Sequence, residues 1–179
     1  MYSHSAHGRC RVPDSTYLVL TVLFLLALLS PTPGHAQVIA QYDFEDGTAQ
    51  GWASFNGASA PANSTDVAHA GTHSLLTTTN SAGAGGPGIQ LTNLVPGASY
   101  QITAFIRLTS GTAPTNANLT MRRSDPSCSG GTCFDTIGNF QVAVSDSGWV
   151  QIGGAYTVST TETGLLLYAQ LVGPTSAQS

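Results

Sequence analysis

The chain has no lysine. Its five basic residues are all arginines, set against nine acids for a formal net charge of −4, and only 8% of the 179 residues are charged. Soluble domains usually carry about 25%. A nucleic-acid partner is excluded, because displacing condensed counterions needs clustered Lys and Arg. Disorder is excluded too: 41% of residues are hydrophobic and the net charge is small, so the chain can bury a core. Beyond residue 36 there is no long stretch of helical period and no second long apolar run.

What the sequence does have begins with a leader. Arg9 and Arg11 form a basic n-region, residues 17–29 are apolar and free of charge, and Gly34-His35-Ala36 offers small residues before Gln37. This is the pattern of a secretory signal peptide over residues 1–36, and a bilayer span would need about 20 apolar residues. The expected product is a secreted or periplasmic domain, residues 37–179, with no membrane attachment after cleavage. In it Arg107, Arg122 and Arg123 face eight carboxylates, a net of −5. Cys10 leaves with the leader, so Cys128 and Cys133 remain with Ser-Gly-Gly-Thr between them. In an oxidising compartment they read as a disulfide across a tight turn, contributing roughly 2 kcal/mol by loop closure. The spacing is not C-x-x-C, which argues against a redox-active pair.

Thr, Val, Ile, Tyr and Phe recur in short runs punctuated by Gly, Pro, Asn and Ser. The runs are 38–44, 73–79, 88–94, 99–108, 118–123, 140–144, 149–158 and 165–172. Tyr100, Ile102, Ala104 and Ile106 alternate with Gln101, Thr103, Phe105 and Arg107, the period of a strand with one face in the core. Residues 165–171 are more continuously apolar, as expected of a central strand. Val95-Pro96-Gly97 predicts a turn. Eight or nine such strands indicate an all-β fold, an antiparallel β-sandwich. Trp52, Trp149, Tyr100 and Tyr156 are expected in the core or at its rim, and the arginines in solvent. Asn63-Ser-Thr and Asn118-Leu-Thr match the glycosylation pattern. The glycines of 83–88 lack the strand–turn–helix context of a phosphate loop. His69 and His73 have the spacing of a helical metal pair but lie in a turn entering a strand.

A set of motifs in order carries a family resemblance: Tyr42-Asp-Phe-Glu-Asp-Gly47, Gly51-Trp52, Ala68-His-Ala-Gly-Thr-His-Ser-Leu75, Leu94-Val-Pro-Gly-Ala-Ser-Tyr100, Gly148-Trp-Val-Gln-Ile-Gly-Gly-Ala-Tyr156 and Leu167-Tyr-Ala-Gln170. Together, over about residues 40–174, they resemble carbohydrate-binding modules of the family 4/9 type, with the xylan-binding family 22 the nearest relative. The resemblance implies a jelly-roll sandwich appended to a secreted glycoside hydrolase. It also implies a final strand with an Asp-Asp pair beyond residue 179, so the expected sandwich lacks that strand. By the same resemblance Tyr168 and Gln170 fall at sugar-binding positions two apart on a strand, and Phe134 at another aromatic one. Asn80 stands where the pattern has an Arg and Ala84 where it has a stacking Trp. A structural Ca²⁺ is implied at Glu45 and the carbonyl of Thr72, the last-strand ligand lying beyond the chain.

Catalytic signatures are missing. The acids lie mostly in turns, and there is no nucleophile elbow or free cysteine nucleophile. The expectation is a secreted, non-catalytic module, monomeric or part of a multidomain chain, that holds a hydrolase to a polysaccharide or oligosaccharide of the xylan or β-glucan class. Two alternatives stand: a fragment of a glycoside hydrolase whose catalytic domain is absent, and a structural or adhesive surface domain that binds no sugar.

Overall fold

Short strands separated by tight turns carry residues 37–79 and 85–172, the part described by a computed structural model. The chain divides into units 1–38 and 39–179, and the strands lie in the second. Its strands are β1 (Ala53–Phe55), β2 (Ala62–Ser64), β3 (Ser74–Leu76), β4 (Gly86–Gln90), β5 (Ser99–Ile106), β6 (Thr115–Ser124), β7 (Thr132–Thr136), β8 (Val142–Val144), β9 (Val150–Thr157) and β10 (Thr163–Val172). Every ladder is antiparallel. The main sheet runs β1-β4-β10-β6-β7, with β8 also paired to β6, while β5–β9 and β2–β3 form two-stranded sheets. No helix among the described residues is long and apolar enough to cross a membrane.

The alternation expected in β5 holds: its residues are exposed and half-buried in strict turn. Ile102, Ala104 and Ile106 pack with Ile152 and Tyr156 of β9 against Ile89, Leu119, Met121, Leu165 and Leu167 of the main sheet. The fold is therefore an antiparallel β-sandwich with its core between β5–β9 and one face of the main sheet. β10 is the central strand its apolar run predicts, hydrogen-bonded to β4 on one side and β6 on the other. The Val95 turn forms as expected, Ala98 N–H donating to the Val95 carbonyl at 3.1 Å. Tyr100 packs at the core rim and its hydroxyl accepts from Val95 N–H at 2.8 Å. The Cys128–Cys133 disulfide is present, its Cα atoms 5.5 Å apart around a short 3₁₀ turn, Ser129–Gly131.

Residues 38–44 depart from expectation: the run joins no ladder. Phe44 takes a φ of 63°, a conformation a strand does not contain. Side chains satisfy the local backbone instead: Asn63 Nδ2 donates to the Phe44 and Thr48 carbonyls at 2.7 and 3.1 Å, and Phe44 N–H donates to Gln50 Oε1 at 3.2 Å. β1, β2 and β7 lay outside the apolar runs, because strands such as Ala62-Asn-Ser have too few apolar residues to announce themselves.

The expectation of solvated arginines fails at Arg123. Alternation along β6 turns this side chain inward, where it pairs with Asp125 at 2.8 Å, Asp135 at 2.5 Å and Glu162 at 3.4 Å. The Tyr156 hydroxyl donates to Glu162 Oε1 at 2.9 Å, and burial pushes that phenol's pKa up. The Ser127 hydroxyl and N–H donate to Asp125 and hold its carboxyl below the usual range. One guanidinium thus neutralises two buried carboxylates and a third at the rim. Arg123→Met would leave Asp125 and Glu162 buried without their cation, and urea unfolding should show a loss of about 3 kcal/mol or more. Arg107→Gln serves as the reference and should stay within about 0.5 kcal/mol.

Candidate functional site

The main sheet has a second face. Because Leu165, Leu167 and Leu171 of β10 enter the core, Leu166, Tyr168 and Gln170 point the other way. Cross-strand partners share that side, so the pairings define rows across it. Gln90, Leu166, Arg122 and Phe134 form one row. Ala53, Gly88, Tyr168, Thr120 and Thr136 form the next. Gln170 pairs with Asn118, and Phe55 with Gly86, one step further along. From β1 to β7 the face is about 19 Å wide at the usual strand spacing.

Tyr168, Gln170 and Phe134, three of the residues predicted for the site, thus share one face. Their exposure differs. Phe134 is 58% exposed on the last strand of the sheet, while Tyr168 is only 4% exposed. The Phe55 ring lies against it, centroids 4.5 Å apart and planes tilted by 43°. Burial pushes the Tyr168 phenol's pKa up. Gly88 makes this pairing possible, since a Cβ there would press against the Cβ atoms of both Phe55 and Tyr168. Beside the pair is a depression of about 380 Å³, lined by Gly51, Ala53, Phe55, Gly88, Gln90 and Leu166 among others. Asn80 and Ala84 lie outside the described residues.

Phe55, Gln90 and Arg122 were not predicted for the site. Arg122 was legible in principle: strict alternation from the core residues Leu119 and Met121 sends it to the opposite face. Phe55 sits on a three-residue strand with no apolar period to place it. Asn118 faces this side but is buried, its Oδ1 accepting from Gln141 N–H at 2.6 Å. Asn63 is likewise engaged through Nδ2, so both glycosylation-pattern asparagines have structural roles.

Glu45 and Thr72, the expected metal ligands, are brought together by hydrogen bonds to each other. Glu45 Oε1 accepts from Thr72 N–H at 2.9 Å and His73 N–H at 2.8 Å, while Oε2 accepts from the Thr72 hydroxyl at 2.9 Å. Gly71, φ 71°, lets the carboxylate approach, since a Cβ there would collide with it. These are hard oxygens of the kind Ca²⁺ takes, but one carboxylate and its turn fall short of six to eight ligands. Among the described residues no group of three His, Cys, Asp or Glu could hold a metal. His73 Nδ1 instead meets Asn63 Oδ1 at 2.5 Å. His69 stacks on Phe105, centroids 3.6 Å apart, with Trp149 edge-on at 5.9 Å, which pins the loop before β3 to the outer side of β5.

Aromatic and amide side chains thus share the outer face of the main sheet, buried at its centre and exposed at Phe134, and comparison with known proteins gives the kind of module this is. The carbohydrate binding domain family CBM_4_9 matches residues 36–177. The endo-1,4-beta-xylanase C of Paenibacillus barcinonensis is 31% identical over 134 residues, 74% of this chain and 12% of that enzyme. The endo-1,4-beta-xylanase A of Thermoanaerobacterium saccharolyticum is 29% identical over 140 residues, 77% of this chain and 12% of that enzyme. The chain therefore spans about an eighth of the length of the curated relatives it matches. Among solved structures, the CBM22-1 xylan-binding domain of P. barcinonensis Xyn10C superposes with a TM-score of 0.68 at 30% identity, covering 76% of this chain and 84% of that one. The tandem CBM22-1–CBM22-2 domain of the same xylanase gives 0.72 at 28% identity, covering 82% and 44%. The chain belongs to the CBM_4_9 carbohydrate binding domain family.

The Thr72 and His73 donors hold the Glu45 carboxyl below its ordinary pKa of 4.5. Its stabilising effect is complete above pH 4.5 and fades as pH falls through the lower folded-state value. Glu45→Gln should make the fall in thermal midpoint between roughly pH 5 and 3 shallower than in the parent. An identical slope in both would contradict this role.

Proposed function

We propose that this chain is a secreted, non-catalytic module that binds a polysaccharide of the xylan class across the outer face of its main sheet, and so holds an attached glycoside hydrolase to its substrate. The observation that carries the reading is the convergence of Phe55, Tyr168 and Phe134 with Gln90 and Gln170 on that face. Aromatic rings offer area to the apolar faces of sugar rings at low entropic cost, and planar amides orient hydroxyls. Tyr168 acts here from beneath: buried itself, it supports the Phe55 ring. The matched regions of xylanases, and a matched domain described as xylan-binding, support the ligand class. The leader motif supports secretion.

Affinity electrophoresis through gels containing xylan or mixed-linkage β-glucan tests the proposal. The chain should be retarded by xylan, and Phe134→Ala should weaken that retardation at least about fivefold. Because Phe134 is largely exposed, this variant should keep its fold. No retardation of a folded protein by any polysaccharide would leave the structural or adhesive reading in its place.

Calcium at the Glu45–Thr72 turn is a second proposal: the Glu45 carboxylate is a hard-oxygen donor, and the described residues would supply only part of the six to eight ligands the ion takes. Millimolar Ca²⁺ should raise the thermal midpoint relative to EDTA, and Glu45→Gln should remove the difference. Equal midpoints in Ca²⁺ and EDTA would refute it.

A further inference from the structure

The three arginines after residue 37 have different fates. Arg123 is shared among three carboxylates. Arg107 Nε donates to the Asp146 carbonyl at 3.0 Å. Arg122, next to Arg123 but turned to the opposite face by strand alternation, has no ion pair among the described residues.

Its surroundings matter as much as its charge. Arg122 stands directly between Leu166 on β10 and Phe134 on β7, with Gln90 beyond Leu166. No Asp or Glu belongs to the rows that define this face, so a net-negative domain carries a cation on this surface. Apolar flanks weaken solvent screening of a guanidinium, and its planar fork matches a carboxylate with two parallel hydrogen bonds. The depression lined by Gln90 and Leu166 lies along the same row, with Leu166 as the neighbour it shares with Arg122.

We infer that the face selects polysaccharides carrying carboxylate side groups, such as uronate-substituted xylan, with Arg122 pairing to the carboxylate. This rests on the reading of the face as the polysaccharide-binding surface and adds which members of that class are preferred. Lys at this position would keep a point charge but lose the bidentate geometry.

The test compares binding of the full chain to uronate-bearing xylan, to the same xylan after chemical reduction of its carboxyl groups, and to a neutral arabinoxylan. Carboxyl reduction should weaken binding about three- to fivefold at low salt, as expected for a partly exposed charge pair. Raising the salt to about 0.5 M should close the gap. Arg122→Gln should bring the ratio of acidic to neutral affinity to about one, Arg122→Lys should retain part of it, and Arg107→Gln should leave it as in the parent. Equal binding of native and carboxyl-reduced xylan by the parent chain overturns this inference and leaves xylan binding intact. Failure to bind any of the three overturns both readings. If Arg122→Gln does not fold, the parent's comparison of native with reduced xylan still decides.

Discussion

The antiparallel pairing of β6 with β10 is the constraint on which the rest depends. These are the longest strands, paired from Thr163↔Ser124 to Val172↔Asn116. A register slip of one residue in either would exchange core and surface. As paired, Ala117, Leu119 and Met121 meet Leu167 and Leu171 inside the sandwich, while Arg122, Tyr168 and Gln170 share the outer face. Arg122 and Arg123 show the effect most plainly: neighbours in sequence, Arg123 closes a buried ion network and Arg122 stands on the opposite face of the sheet.

The face proposed to bind sugar has to be rigid and partly apolar. Here rigidity comes from below. The Phe55 ring rests on a buried Tyr168 across a glycine, and Asn118 is locked by the Gln141 backbone. If the face binds sugar as proposed, ring area and a few oriented polar groups would set the affinity. The sandwich contributes little to that choice by itself, since the same fold serves many ligands.

Much of the architecture was legible in the sequence. The alternation in β5, the apolar run of β10, the Pro-Gly turn and the cysteine pair each act locally, and each took the form its residues imply. The 38–44 run misled because apolar content says nothing about whether a ladder partner is available; Phe44 ends it at a positive φ no strand contains. Of the candidate site, resemblance picked out Tyr168, Gln170 and Phe134, and strand spacing put the first two on one face; that Phe134 shares it, and how exposed each is, was not legible. That depends on Phe55, brought from far away in sequence on a strand of three residues. The inward turn of Arg123 was missed for a related reason: its partners Asp135 and Glu162 are long-range neighbours that no local pattern pairs.

The central claim, that sugar is bound on the outer face of the main sheet, is tested most directly by titrating the isotopically labelled protein with a soluble xylo-oligosaccharide and following backbone amide shifts by NMR. The account predicts that the largest shifts fall on Ala53–Phe55, Gly86–Gln90, Arg122, Phe134 and residues 166–170. Shifts confined to the outer side of β5 and β9, around Gln101, Thr103, Phe105 and Gln151, would contradict it.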